Sequence, residues 1–163
     1  MIEGIHIGHV HLTVSDLERS VDFYTRVLGM EVVARYGTSA AFLSYDGYHH
    51  HLGLNTWEGE GIPPQPRGHA GLYHFAILYP TRKKLAQAIE RLAQEGHTLD
   101  GASDHGVSEA VYLRDVDGIG IELYCDRPRH TWKKDADGMI QMTSAPLDME
   151  SLMRELKPGS IAE

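Results

Sequence analysis

Cysteine is scarce in this chain, phenylalanine nearly so, and long apolar runs are missing; each shortage removes a class of protein. A single cysteine, Cys125, cannot close an internal disulfide, so a disulfide-stapled secreted scaffold is excluded. No apolar stretch approaches the roughly 20 residues of a membrane span. The opening MIEGIHIGHVHL lacks the charged start and long apolar stretch of a signal peptide. No basic run occurs, and 15 basic against 23 acidic residues give a formal charge of −8. That balance disfavours nucleic acid and anionic membrane surfaces as partners. The expectation is a cytoplasmic globular protein. With 163 residues, 42 % of them hydrophobic, it can form one domain or two tightly packed half-domains.

Against three phenylalanines stand eleven histidines, three of them consecutive at His49, His50 and His51. Two others mark a repeat. Residues 7–29, IGHVHLTVSDLERSVDFYTRVLG, and residues 72–96, LYHFAILYPTRKKLAQAIERLAQEG, share one plan: an apolar strand with an early histidine, a turn, then an amphipathic helix closed by glycine. His9 and His74 hold the same place in the two copies. Each copy continues to an Asp-Gly turn and a further strand, Asp46-Gly47 before YHHHLGLNTW and Asp117-Gly118 before IGIELYCDRP.

Period-two alternation over residues 7–14 puts Ile7, His9, His11 and Thr13 on one strand face and Val10, Leu12 and Val14 on the other. Ser15-Asp16-Leu17-Glu18 has the S-x-x-E form of a capping box, and Leu17, Val21, Tyr24 and Leu28 recur at helical spacing up to Gly29. Residues 31–36 and 39–45 read as strands. So does HHHLGLNTW, with Leu52 and Leu54 towards the helix and His51, Gly53 and Asn55 away from it. In the second copy Thr81 caps a helix with Leu85, Ala88, Ile89 and Leu92 as its stripe and Gly96 as its C-cap. Residues 109–114 and 119–125 are further strands, and LDMESLMRELK, 147–157, is a short amphipathic helix that docks on the body or on a partner chain. The expected architecture is α+β, two paired βαβββ modules whose curled sheets make a metal-binding cup. The first module covers 5–57, a Gly/Pro-rich linker 58–71, the second module 72–128, and a C-terminal extension 129–163.

H-x-x-L-x-V-x-D-L-x-x-S-x-x-F-Y-x-x-V-L-G over residues 9–29 and Y-L-x-D-x-D-G-x-x-I-E-L-Y over 112–124 carry a family resemblance. The chain resembles the vicinal oxygen chelate superfamily of glyoxalase I, bleomycin-resistance proteins and extradiol dioxygenases, and within it the catechol 2,3-dioxygenase-like proteins. That resemblance implies paired βαβββ modules around a metal. It implies His9, His74 and Glu122 as the ligands, two histidines and one carboxylate. Three ligands on one face of Fe(II) leave adjacent sites for the vicinal oxygens of a catechol and for O2. Mn(II), Ni(II), Co(II) and Zn(II) suit the same donors.

The fourth-strand position of the first module separates the activities. Aligned on the Asp-Gly turns it is His51; aligned on the glyoxalase pattern ending at Trp57 it is Gly53. Neither is the glutamate that a glyoxalase would have. The resemblance further implies His51, or His50, as general base and acid. It implies His105 and Tyr112 as hydrogen-bond partners of the substrate oxygens. The function expected is metal-dependent extradiol cleavage of a catechol-like diol by O2. The alternatives are a glyoxalase-like isomerase, lyase or epimerase on the same metal cup, and a non-enzymatic ligand- or antibiotic-binding protein. The partners expected are a small aromatic substrate and O2, with a homodimer left open.

Overall fold

The computed structural model describes residues 4–66 and 68–157 and divides into two compact units. One comprises Met1–Gly71 with Asp115–Gly118; the other comprises Leu72–Arg114 with Ile119–Glu163. Each holds one four-stranded mixed sheet with a helix on one face, so the chain is α+β. Among the described residues no helix is long and apolar enough to cross a membrane.

In the first unit the strands are β1 (Val10–Thr13), β2 (Glu31–Tyr36), β3 (Ala40–Ser44) and β4 (Leu52–Asn55), in the spatial order β1-β4-β3-β2. β1 runs parallel to β4 and the other pairs are antiparallel. The alternation expected from residue 7 onward is present, but hydrogen-bonded pairing begins only at Val10. His9 therefore stands just ahead of the strand. Likewise β4 begins at Leu52, and His49, His50 and His51 lie in the bend before it rather than in the strand.

Helix α1 (Leu17–Asp22) widens into a π-helical turn over Phe23–Val27, where the Leu28 N–H reaches back to the Phe23 carbonyl. Leu12, Val14, Leu17, Val21, Phe23, Tyr24, Leu43, Leu52 and Leu54 close the core between helix and sheet. The expected capping box is not formed. Asp16 caps the helix, accepting from the Arg19 N–H at 3.0 Å. Ser15 is drawn instead to Asp117, whose carboxylate accepts from its backbone N–H at 2.7 Å and its hydroxyl at 2.5 Å. Arg19 donates to the same carboxylate at 2.6 Å. The Tyr24 hydroxyl, wholly buried, donates to Asp115 at 2.8 Å.

The second unit has β5 (His74–Leu78), β6 (Gly101–Asp104), β7 (Ser108–Arg114) and β8 (Gly120–Asp126) in the order β5-β8-β7-β6, with β5 parallel to β8. Helix α2 (Arg82–Gln94) is capped by Thr81, and Leu85, Ala86, Ile89 and Leu92 are buried; Ala86 takes the place expected of Ala88. Glu95 is the C-cap, and Gly96, at φ 75°, is the residue after it. β6 is the strand that the βαβββ plan requires after the helix but that no pattern located, because Gly-Ala-Ser-Asp has poor strand propensity. It is held by its ladder to β7 and by a bridge from Asp104 to Ala145. The C-terminal helix α3 (Met149–Arg154) docks on α2 with Leu152 fully buried. Arg82 joins the two helices, donating to Glu155 at 2.7 Å and to Ser151 at 3.2 Å, and it also donates to buried Glu109 at 2.6 Å.

Candidate active site

The pleat of the second sheet sorts its residues. Val111, Leu113, Ile121 and Leu123 face α2, which leaves Tyr112 and Glu122, paired across β7 and β8, on the opposite face. Ala76 sits beside Glu122 in the parallel ladder, so His74, two residues earlier, shares that face. His74 Nε2 lies 3.0 Å from Glu122 Oε2, with the side chains 31 % and 13 % exposed. Tyr112 Oη is 3.4 Å from the other carboxylate oxygen. His105 Nε2 lies 2.5 Å from the same phenolic oxygen, and its Nδ1 is 2.7 Å from the Thr143 carbonyl. Burial, and then the Glu122 carboxylate, push the Tyr112 phenol up to about 12.

His74, Tyr112 and His105 border a cavity of about 370 Å³ lined also by Tyr73, Asp100, Ser103, Arg114 and Ser144. The sequence reading missed this wall. Asp100 and Arg114 pair at 2.9 Å, and Ser144 comes from the C-terminal extension, far from any motif. The one available signal was the period-two step from Tyr112 to Arg114 along a strand.

Does the pair suit a metal? Donors in adjacent positions of a six-coordinate ion, each about 2.1 Å from it, lie about 3.0 Å apart. His74 and Glu122 have that spacing, and they are a borderline nitrogen and a hard oxygen, the donor types that Fe(II), Mn(II), Co(II), Ni(II) and Zn(II) accept. They fit as two ligands of such an ion. Within neither unit does a third histidine, cysteine, aspartate or glutamate among the described residues complete a three-donor group.

In the first unit His9 is exposed, and its ring centroid lies 4.4 Å from that of His50. His50 in turn touches His49, with their Nδ1 atoms 2.8 Å apart, and packs edge-on to Phe42. Burial, then His9 and His49, hold His50 below the ordinary histidine range; burial and then His9 do the same for His11. His51 turns elsewhere. Its Nδ1 is 3.2 Å from the Ser44 hydroxyl and accepts from the Tyr45 N–H at 3.4 Å, while Nε2 is 3.8 Å from Asp46.

The register decides between the two alignments of the copies. His11 pairs with Gly53 as Ala76 pairs with Glu122, and Phe42 faces Gly53 as Tyr112 faces Glu122. With His9 matched to His74, the counterpart of Glu122 is Gly53, not His51. The vacant side-chain space above Gly53 is filled by the His11 ring, which a Cβ there would meet at 2.8 Å.

A family model, Glyoxalase/Bleomycin resistance protein/Dioxygenase superfamily, matches residues 6–123. The chain belongs to this superfamily. A superfamily relative, the catechol-2,3-dioxygenase of Bacillus subtilis, is 45 % identical over 94 % of this chain and 53 % of its own length. This chain thus spans about half the length of that protein. A lactoylglutathione lyase of Escherichia coli O157:H7 is 31 % identical over 71 % of this chain and 88 % of that protein. Among solved structures, a glyoxylase/bleomycin resistance protein/dioxygenase domain from Frankia superposes with a TM-score of 0.66 at 26 % identity, covering 77 % of this chain and 95 % of that one.

Proposed function

We propose that this chain is a metal-dependent dioxygenase of the extradiol type, acting on a catechol-like diol with O2. The observation that carries the reading is the convergence of His74, Glu122 and Tyr112 on one sheet face, with His105 reaching Tyr112 from the loop before β7, beside a cavity that His74, Tyr112 and His105 line. The likeness to a catechol-2,3-dioxygenase over nearly the whole chain supports it. His74 and Glu122, with His9 as the third donor, would hold the ion, Fe(II) first. When bound, the ion supplies adjacent positions at which the vicinal oxygens of the diol and O2 meet.

The chain's own side chains do the rest. Tyr112, kept protonated across the neutral range, donates its hydrogen bond or holds its proton at the substrate oxygen. His105 Nε2 exchanges a proton with that phenol. His50, beside His9, and His51, held by Ser44, are the candidates for the second base; the contact with His9 favours His50. In the cavity wall Asp100 and Arg114 suit a polar substituent of the ring.

The test is oxygen uptake by anaerobically Fe(II)-loaded protein offered a panel of substituted catechols, beside Glu122→Ala. Uptake with a yellow ring-fission product in wild type alone is expected. Metal-loaded wild type that consumes no oxygen across the panel overturns the reading.

One observation favours a second reading, a glyoxalase-type isomerase: the lactoylglutathione lyase relative is matched over 88 % of its length. Gly53 at the counterpart of Glu122 leaves the first unit without a carboxylate for that chemistry. Isomerisation of the methylglyoxal–glutathione hemithioacetal by Ni(II)- or Zn(II)-loaded protein would support it instead.

A further inference from the structure

The segment after β8 brings a backbone carbonyl, that of Thr143, to His105 at the cavity's edge. A carbonyl oxygen can only accept a hydrogen bond, so the 2.7 Å contact between His105 Nδ1 and the Thr143 carbonyl requires a hydrogen on Nδ1. In the neutral ring Nε2 is then an acceptor, and the single phenolic hydrogen of Tyr112 goes to it across 2.5 Å rather than to Glu122 at 3.4 Å. We propose that the Thr143 backbone carbonyl is a positioning group that fixes His105 as its Nδ1–H tautomer and so leaves Nε2 open to the proton of Tyr112. The catalytic meaning of this assignment rests on the reaction proposed above; the assignment itself rests on geometry.

The carbonyl is held in place by a short ladder. The Thr143 N–H donates to the His105 carbonyl at 3.0 Å. Ala145 and Asp104 exchange backbone bonds, the Asp104 N–H donating at 2.8 Å and the Ala145 N–H at 3.0 Å. The Ser103 and Ser144 hydroxyls meet at 3.0 Å beside the cavity. Beyond the ladder, α3 is pinned to α2 by Leu152 and by Arg82 on Glu155. A histidine side chain free in water prefers the Nε2–H form. A ring presented only to solvent and Tyr112 would therefore tend to carry its hydrogen on the wrong nitrogen for accepting the phenol's hydrogen bond.

The measurement is the tautomer of His105 in full-length, metal-free protein labelled with 15N-histidine. Two-bond 1H–15N correlations at a pH where the ring is neutral report it, and His105→Gln identifies the signal. Wild type should show Nδ1–H. Ala145→Pro deletes the N–H that donates to Asp104 and should shift the ring towards Nε2–H; Ala145→Gly keeps that N–H and the wild-type pattern. In the Fe(II)-loaded enzyme, Ala145→Pro should lower kcat about 10-fold or more with KM for the diol little changed, as loss of an oriented acid–base group does.

Wild-type His105 protonated on Nε2 overturns the proposal, and so does an Ala145→Pro protein that is less stable but keeps the Nδ1–H ring. Should Ala145→Pro fail to fold, the wild-type ring still decides. The ring reading needs neither metal nor diol. An Nδ1–H ring in a protein that consumes no oxygen therefore upholds the tautomer assignment while overturning the dioxygenase.

Discussion

Glu122→Gln separates metal holding from folding. The substitution keeps the shape of a side chain that is only 13 % exposed and removes its charge. In metal-free protein the carboxylate faces His74 at 3.0 Å and Tyr112 at 3.4 Å, a weak set of partners for a largely desolvated charge. Metal-free Glu122→Gln should therefore be as stable as wild type, or more stable by up to about 1 kcal/mol, the usual signature of a functional group held against stability. With metal the order reverses. An ion present at about 100 times its dissociation constant stabilises wild type by about 2.7 kcal/mol, or about 5–10 °C for a chain of this size. If the amide weakens the ion about 100-fold, the same solution stabilises the variant by only about 0.4 kcal/mol. Thermal unfolding in EDTA and in Mn(II), a redox-stable stand-in for Fe(II), reads both limbs. A variant that keeps the full metal-induced rise would remove Glu122 from the ligand set.

Three further outcomes are expected. Asp117→Ala strands the Ser15 N–H and hydroxyl and should cost about 2–3 kcal/mol in urea unfolding; little of that comes from Arg19, which is half exposed. Asp117→Asn, which keeps one acceptor oxygen, should cost less. Gly53→Ala places a methyl 2.8 Å from the His11 ring and should cost about 1–3 kcal/mol as the ring leaves its packing on Phe42 and Trp57; an unchanged denaturation midpoint would refute that crowding. Above pH 10 stability should fall, because the unfolded phenol of Tyr112 ionises near 10 while the native one holds its proton to about 12, so the unfolded state binds fewer protons. Tyr112→Phe should flatten that slope without abolishing it, since burial and then Asp115 raise the Tyr24 phenol as well.

The residues most legible in sequence were those whose chemistry and spacing coincide. The His74 strand, the Tyr112–Glu122 interval and the repeat of strand, helix and glycine all follow from period-two and period-3.6 patterns, and the two sheets are built on them. The choice between His51 and Gly53 was not legible, because a parallel ladder fixes register through backbone pairing that no side chain announces. Ser15 was misread for a related reason: its capping pattern is real locally, but Asp117, 102 residues away, competes for the same donors and wins. Nothing in the sequence pointed to Thr143, since the group that matters there is a carbonyl every residue possesses.

The turn Asp115–Gly118 has a consequence for how such a chain can be made. It lies between β7 and β8, yet it belongs to the first unit, where Ser15, Arg19 and Tyr24 bind its two buried carboxylates. On the ribosome the first unit emerges early but must wait for about a hundred further residues before these partners exist. Cutting the gene between the two copies of the repeat would leave Ser15, Arg19 and Tyr24 without the carboxylates of Asp115 and Asp117. The repeat looks modular in sequence, but the first unit is completed by a turn that its own copy does not encode.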